Sequence, residues 1–174
     1  DAAARKYSWL GIDKDTFSRT SKQGSYKWHY GVDVAGFKYH GNSVIAAMAI
    51  VALRYLDRDN AYRRELAEIY SSRLSDVEGI RIVPVSSDCV PSRHLFQIRC
   101  SRRDDLYEHL VSKNIFPGVH YRNNCEYPMY ADQKDRCPAA AAASDEVLSL
   151  PLHLKLTDAD VGRVCAEVRE AVDS

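Results

Sequence analysis

The stretch Gly36-Phe-Lys-Tyr-His-Gly-Asn-Ser43 leads directly into an almost wholly apolar run, Val44 to Leu53. Asn42 and Ser43 are both residue types that favour the N-cap, so the run is predicted to be a helix. A helix that is apolar on every face has to be buried on every face, by the rest of its domain or by a second subunit. The first N–H groups of a helix lack partners and its dipole favours negative charge, so the polar loop is a candidate anion site. The alternative is an ordinary turn that caps a core helix.

The length and charge of the chain narrow the class of protein. At 174 residues it is one domain or a little more, and it carries 24 basic and 24 acidic side chains. This zero net charge argues against nucleic acid or an anionic membrane as the main partner. The apolar run is too short to span a bilayer, and the opening residues do not resemble a signal peptide. Five widely spaced cysteines are typical of reduced thiols, which predicts a cytoplasmic protein.

Hydrophobic periodicity predicts an α+β fold with a short sheet and helices packed on one face. Helices are predicted over residues 2–10, 44–56, 62–74, 104–111 and 138–147, with a polar break at 57–60. Strands are predicted over 80–85, 95–100 and 115–121, and residues 148–153 are predicted to be extended. Pro84 makes a central position unfavourable for the first strand. Thr157-Asp-Ala-Asp160 is close to a capping box and predicts the start of a last helix.

Gly118-Val-His-Tyr-Arg122 carries side chains that suit a binding or catalytic site. A histidine such as His120 can accept or release a proton, Tyr121 can donate a hydrogen bond, and Arg122 offers a planar donor for phosphate or carboxylate. The alternative is that His120 is a satisfied histidine at the end of a strand. A metal site joining His120 and Cys125 with Cys137 or His153 has no familiar ligand spacing. The residues alone therefore indicate a polar pocket and an anion site, and they name no reaction.

The stretch from Gly36 to Ser43, together with the Val-Ile-Ala-Ala-Met that follows it, resembles a signature of the DegT-type sugar aminotransferases. These are fold-type-I enzymes that depend on pyridoxal phosphate (PLP). Further segments resemble the family in the same order along the chain: Trp9 to Thr16, Gly118-Val-His-Tyr121, Tyr127-Pro-Met-Tyr130, Leu148 to His153, and Leu156 to Asp160. Each segment is weakly specific by itself, and their common order supports the assignment.

The resemblance implies a homodimer with active sites between its subunits, acting on a nucleotide-linked sugar. Residues matching Lys38, Tyr39, His40 and Asn42 lie close to the phosphate of the partner's PLP in the family. The stretch matching His120 and Tyr121, with Arg122 beside it, lines the sugar-nucleotide side of the pocket.

The resemblance also implies a division of the chain. Residues 1–57 would be the tail of a large cofactor-binding domain, with the cross-subunit loop and the buried helix, and residues 58–174 a small C-terminal α+β domain. The family's Schiff-base lysine would lie upstream of Asp1, because none of the chain's lysines matches its motif.

The expected function is therefore that of the C-terminal part of an aminotransferase for a nucleotide-linked keto sugar. The amino donor would be glutamate or glutamine, and the chain alone would not transaminate. The alternative is a non-catalytic module of the same family that serves in dimerisation or ligand binding. An upstream reading frame with the cofactor lysine would favour the first hypothesis, and a start codon near Asp1 the second.

Overall fold

The computed structural model describes residues 1–12, 31–39, 41–133 and 136–173. They form two compact units, residues 1–54 and residues 55–174. The division lies close to the predicted boundary after residue 57, and the origin of the first unit in a large cofactor-binding domain stays a prediction. No helix among the described residues is long and apolar enough to cross a membrane.

The first unit begins with helix α1, Ala2–Ser8, which hydrogen-bonds to an extended segment further along the chain. The backbone N–H groups of Phe37 and Tyr39 donate to the carbonyls of Tyr7 and Ser8 at 2.7 and 2.8 Å. An ion pair between Lys6 and Asp33 at 2.5 Å joins the same two segments. Hydrogen bonds and an ion pair thus attach residues 33–39, which precede the apolar run, to α1.

Two glycines allow this close approach of backbone to backbone. A Cβ on Gly36 would lie 2.2 Å from the backbone nitrogen of Gly11, a distance that no side-chain carbon tolerates. Gly11 itself has a φ of +77°, a conformation that strains any other residue. Gly36 is therefore required by packing against Gly11, which gives it a structural role within the unit.

Helix α2, Ser43–Leu53, is the apolar helix that the sequence predicts, and none of its residues is buried. Its large side chains, such as Ile45 and Met48, remain 63% and 64% exposed. The described residues leave this helix exposed, so its burial by the rest of its domain or by a second subunit stays a prediction.

The second unit contains a three-stranded antiparallel sheet in the order β1-β2-β3, so the α+β prediction is confirmed. Its elements in chain order are α3 (Leu56–Leu74), β1 (Ile80–Ile82), β2 (Phe96–Cys100), α4 (Arg103–Ser112), α5 (Pro138–Glu146), β3 (Val147–Leu150) and α6 (Asp158–Asp173). Two short 3₁₀ helices, Asn124–Glu126 and Pro128–Gln133, lie between α4 and α5. β1 is an edge strand, in keeping with Pro84 just beyond it.

The core lies between one face of this sheet and helices α3, α4 and α6. Phe96, Ile98 and Cys100 are all buried, as the alternation along β2 predicts. Tyr70 of α3 stacks on Phe96 with ring centroids 4.8 Å apart, and its hydroxyl donates to the carbonyl of Pro151 at 2.9 Å. This partly buried hydrogen bond connects α3 to the segment that follows β3.

The third strand of the sheet differs from the prediction. It is β3, which pairs Phe96 of β2 with Leu150, and residues 115–121 form no strand. In the described part of the chain, that segment makes a single bridge, between Gly118 and Ser149. Pro117 has no N–H to continue the ladder, so the pairing stops there.

The predicted polar break at residues 57–60 is also wrong, because these residues form the first turn of α3. The chain instead turns at residues 54–55, between α2 and α3. Asp57 and Asp59 lie in the first turn, where the helix dipole favours negative charge. Polar residues that looked like a linker are thus favourable at the start of a helix.

Candidate functional site

The predicted cofactor residues lie in the first unit, where α1 and the start of α2 position them. Lys38 forms a bridge with Trp9, and its ammonium group lies 6.0 Å from the centroid of the indole ring. Tyr39 stacks on Phe37 at 5.1 Å and remains 75% exposed. His40 and the segment 13–30 lie outside the described residues, which removes part of the Trp9 to Thr16 motif as well.

Asn42 is the N-cap of α2, as the sequence predicts. Its side-chain oxygen accepts a hydrogen bond from the backbone N–H of Val44 at 2.8 Å. That oxygen is therefore occupied by the helix, and the side-chain NH₂ remains as a donor. The N-terminus of α2, the ammonium of Lys38 and the hydroxyl of Tyr39 are each donors of a kind that phosphate oxygens accept from.

The predicted substrate residues lie in the second unit, beside the face of the sheet that points away from the core. Arg81, Gln97 and Arg99 alternate with the buried residues of β1 and β2 and so share this face. A cavity of about 520 Å³ lies over it, and its lining includes Arg81, Gln97, Arg99, His120, Tyr121, Ala140, Ala143 and Ser144. Apolar and charged side chains thus meet in one cavity, as is common in small-molecule sites.

His120 is held closely at the rim of this cavity. Its Nδ1 lies 2.9 Å from the hydroxyl oxygen of Ser149, and its backbone carbonyl accepts a hydrogen bond from Gln97 at 2.6 Å. The peptide bond between His120 and Tyr121 is cis, and the two rings meet edge to face at 5.1 Å. The prediction that His120 and Tyr121 share a pocket is consistent with this geometry.

Arg122 does not line the cavity. Its Nε donates to the carboxylate of Glu126 at 2.6 Å, and its guanidinium lies 5.5 Å from the ring centroid of Tyr127. The hydrogen bond with Glu126 raises the pKa of Arg122. The guanidinium is thus already paired with an anion, whereas His120 and Tyr121 face the cavity.

The charged residues of the cavity were missed by sequence reasoning. Arg81 and Arg99 are direct partners across β1 and β2, and like charges in such positions repel each other. Glu146, at the end of α5, forms ion pairs with both, the one to Arg99 at 2.8 Å. The alternation along β1 and β2 could have placed the two arginines on one face. No local sequence pattern predicts that Glu146 lies close to these two arginines.

Among the described residues, Cys125 and Cys137 approach each other, but the candidate metal ligands His120, Cys125, Cys137 and His153 form no close group of three. The one close group of three possible ligands in the described part of the chain is His109, Glu167 and Glu170. The ammonium of Lys113 lies 3.1 Å from each of the two carboxylates and so supplies the positive charge there. Partial burial raises the pKa of the Cys125 thiol, which disfavours the thiolate that a metal needs.

The sequence and fold both lead to one family. The profile of the DegT/DnrJ/EryC1/StrS aminotransferase family matches residues 2–169, and the chain belongs to this family. The chain is 32% identical over 174 residues to the dTDP-4-dehydro-2,3,6-trideoxy-D-glucose 4-aminotransferase of Saccharopolyspora spinosa, covering 98% of this chain and 45% of that relative. It is 32% identical over 145 residues to the dTDP-3-amino-3,4,6-trideoxy-alpha-D-glucose transaminase of Streptomyces venezuelae, covering 81% of this chain and 38% of that relative.

Solved structures of aminotransferases share the fold. The aminotransferase TlmJ of Streptoalloteichus hindustanus superposes with a TM-score of 0.81 at 30% identity, covering 98% of this chain and 44% of that one. DesV of S. venezuelae gives a TM-score of 0.82 at 29% identity over the same shares of the two chains. The chain thus spans less than half the length of these relatives.

Proposed function

We propose that the full-length protein is an aminotransferase that converts a keto group on a nucleotide-linked sugar to an amine, with glutamate or glutamine as the amino donor. The observation that carries this proposal is the family match over residues 2–169. Two relatives at 32% identity are named for dTDP-linked sugars, which supports a sugar nucleotide as the substrate class.

PLP is the cofactor expected for this family, and when bound it supplies the electron sink that amino transfer needs. On this chain, Lys38, Tyr39, His40 and Asn42 are the residues we expect to hold its phosphate. The exposed donors at the N-terminus of α2 support this role, because an ammonium, a phenol and an amide can all donate to phosphate oxygens. The lysine that holds the cofactor covalently would come from outside this chain.

The sugar nucleotide would be held by His120, Tyr121 and Arg122. The cavity beside His120 is large enough for part of such a molecule, and Tyr121 is 74% exposed at its rim. Arg122 would reach a phosphate of the substrate by exchanging its ion pair with Glu126 for one with the ligand. That exchange replaces the carboxylate of Glu126 by a phosphate, so the guanidinium is paired with an anion both with and without substrate.

A homodimer is the assembly that the exposed helix α2 supports. Contiguous apolar surface of this kind marks an interaction site in soluble proteins. In the proposed dimer, α2 packs against the partner subunit and the donors at its N-terminus reach the partner's cofactor. Burial of α2 would then satisfy the requirement that an all-apolar helix be covered.

The activity is tested with the full-length protein, PLP, a dTDP-linked keto sugar and either glutamate or glutamine, with mass spectrometry of the sugar nucleotide. We expect an amino sugar to form, and His120→Ala to lower kcat/KM about 10-fold or more, because a hydrogen bond to a charged substrate is lost. His94→Ala removes an exposed imidazole outside the cavity and is the matched control.

The 174-residue chain alone should not change the absorbance of added PLP.

Failure of every keto sugar nucleotide to yield an amino sugar in the presence of PLP and donor would contradict the proposed activity. An equal loss of kcat/KM in His94→Ala and His120→Ala would instead contradict the role given to His120. A stable, stoichiometric aldimine at one lysine of the 174-residue chain would show that the cofactor lysine lies within it.

A further inference from the structure

Three residues that are distant in the sequence or separated along the chain hold His120, two at its imidazole and one at its backbone. Ser149 contacts Nδ1 at 2.9 Å, and Gln97 donates to the backbone carbonyl of His120 at 2.6 Å. Gly118 lies beneath the ring, because a Cβ there would lie 2.6 Å from Cε1. Any side chain at position 118 would push the ring out of its present place.

Ser149 is itself held rigidly. It is buried in β3, opposite Gln97 in the ladder. Its backbone N–H donates to the carbonyl of Gly118 at 2.7 Å, and its carbonyl accepts from the N–H of Gly118 at 2.9 Å. The hydroxyl is thus presented to His120 from a fixed backbone, which a surface loop could not provide.

A hydroxyl suits this position because it can act as either donor or acceptor. It donates to Nδ1 when the imidazole is neutral with its proton on Nε2, and it accepts from Nδ1–H when the imidazole is protonated. A carboxylate or a carbonyl could only accept. The charged groups that line the cavity with the ring are Arg81 and Arg99, and Glu146 forms ion pairs with both. None of the three hydrogen-bonds to the imidazole among the described contacts.

We propose that Ser149 is a positioning residue that keeps the imidazole of His120 in one orientation in both of its protonation states. Nε2 makes no hydrogen bond to a described residue and is therefore the ring atom left for a ligand in the cavity. The identity of that ligand as a sugar nucleotide rests on the proposed function, whereas the positioning of the ring does not.

The orientation is tested by nuclear magnetic resonance of the protein labelled with ¹⁵N only in histidine, with His120→Asn to assign the ring signals. In the wild type, we expect a nuclear Overhauser effect between Hε1 of His120 and the α-protons of Gly118, both when the imidazole is neutral and when it is protonated. In Ser149→Ala this effect should weaken as the ring takes up further orientations. Gly118→Ala should change the same signals, because its methyl group displaces the ring.

A shape-matched pair of variants removes the effect of packing at this buried position. Ser149→Thr and Ser149→Val have the same shape and differ in the hydroxyl alone, so the threonine should restore the wild-type signals and the valine should not. Ser71→Ala deletes a hydroxyl that bonds within α3 and should leave His120 unchanged. An unchanged nuclear Overhauser effect in both Ser149→Ala and Ser149→Val would overturn the proposal.

Binding of dTDP to the full-length protein, measured by calorimetry, separates this inference from the proposed function. We expect affinity to fall about 3- to 10-fold in Ser149→Ala and Ser149→Val, as for one lost hydrogen bond, and to recover in Ser149→Thr. Altered ring signals with no binding of dTDP to the wild type would contradict a dTDP-linked substrate and leave the positioning role standing.

Discussion

Three hydrogen bonds between Thr157 and Asp160 close the N-terminus of α6. The carboxylate of Asp160 accepts from the backbone N–H and the hydroxyl of Thr157 at 2.8 and 2.7 Å, and the N–H of Asp160 donates back to that hydroxyl at 3.2 Å. These are the reciprocal contacts of a capping box, formed here by an aspartate in place of the usual glutamate. The hydrogen bonds from Thr157 lower the pKa of Asp160.

Replacing Thr157 by alanine should lower the free energy of unfolding by about 1 kcal/mol at neutral pH, as for the loss of a helix cap. Because the pKa of Asp160 is lower in the folded state, its contribution is present above the unfolded pKa, near 4, and is lost as the pH falls through the folded pKa. Thr157→Ala should therefore also make stability less dependent on pH in the acidic range below about 5.

Urea unfolding of the wild type and Thr157→Ala at several pH values measures both effects. Thr157→Ser keeps the hydroxyl and is the matched control. If the serine variant loses as much stability as the alanine variant, the hydroxyl is not the stabilising group. If the two pH profiles run parallel, Thr157 does not lower the pKa of Asp160.

The range of an interaction along the chain decides which residue roles the sequence can predict. The contacts of Thr157 and Asp160, and of Asn42 with Val44, span a few residues, so a local pattern identifies them. The contact of His120 with Ser149 joins positions 29 residues apart. It depends on how β3 pairs with the segment at Gly118, and no local pattern contains that information.

The strands β1 and β2 place Arg81 directly opposite Arg99. A carboxylate at the end of α5 reduces the repulsion between these two cations. Glu146 forms ion pairs with both guanidinium groups, and its side chain is only 25% exposed. A carboxylate between two cations offsets their mutual repulsion. The short helix α5 is thus joined to the open face of the sheet by charge as well as by contact.

Glu146→Gln should destabilise the second unit by about 1 kcal/mol, because two arginines then face each other without a counter-charge. Adding Arg81→Gln should recover part of this loss, since one of the two like charges is removed. Thermal unfolding of the single and double variants measures the coupling, and high salt should reduce it by screening.

Asp104→Asn is a suitable control, because Asp104 is largely exposed and forms its ion pair with the adjacent Arg103. Its effect on stability should be small. Additive losses in the double variant Glu146→Gln with Arg81→Gln would argue against repulsion between the two arginines.

At the level of elements, helices were predicted more reliably than the pairing of strands. The helical period identified α3, α4, α5 and α6 with errors only at their ends, and β2 was identified by its alternation. The third strand was assigned to residues 115–121, yet β3 takes that place. Both segments are apolar and extended, and Pro117 and the long-range pairing with β2 decide between them.

At the scale of the whole molecule, the apolar side chains of helix α2 lack a covering surface among the described residues. Val44, Ile45, Met48, Ile50, Val51 and Leu53 are between 49% and 65% exposed. Their exposure in water is unfavourable at roughly 25 cal/mol for each square ångström of apolar surface. A partner surface is therefore expected, and we propose a second subunit.

Met48→Lys in the full-length protein should shift the dimer toward monomer, because a charge would have to be buried in an apolar interface. Met129→Lys is the matched control, since Met129 is 75% exposed and lies outside α2. Sedimentation velocity at several protein concentrations measures the association. A dimer equally stable in the wild type and in Met48→Lys would exclude α2 from the interface.

The sequence by itself determined the helices, the buried face of β2, the caps of α2 and α6, and membership of the aminotransferase family. The helices, the buried face and the caps follow from the spacing of side chains within short segments, where local physics has one clear solution. Family membership rests instead on the resemblance of several motifs in a common order along the chain. Only the tertiary structure decided that β3 is the third strand, that the hydroxyl of Ser149 contacts the imidazole of His120, and that Glu146 forms ion pairs with two arginines. Those contacts join segments far apart in the chain, and the choice among them depends on competing long-range packings that no local spacing can rank.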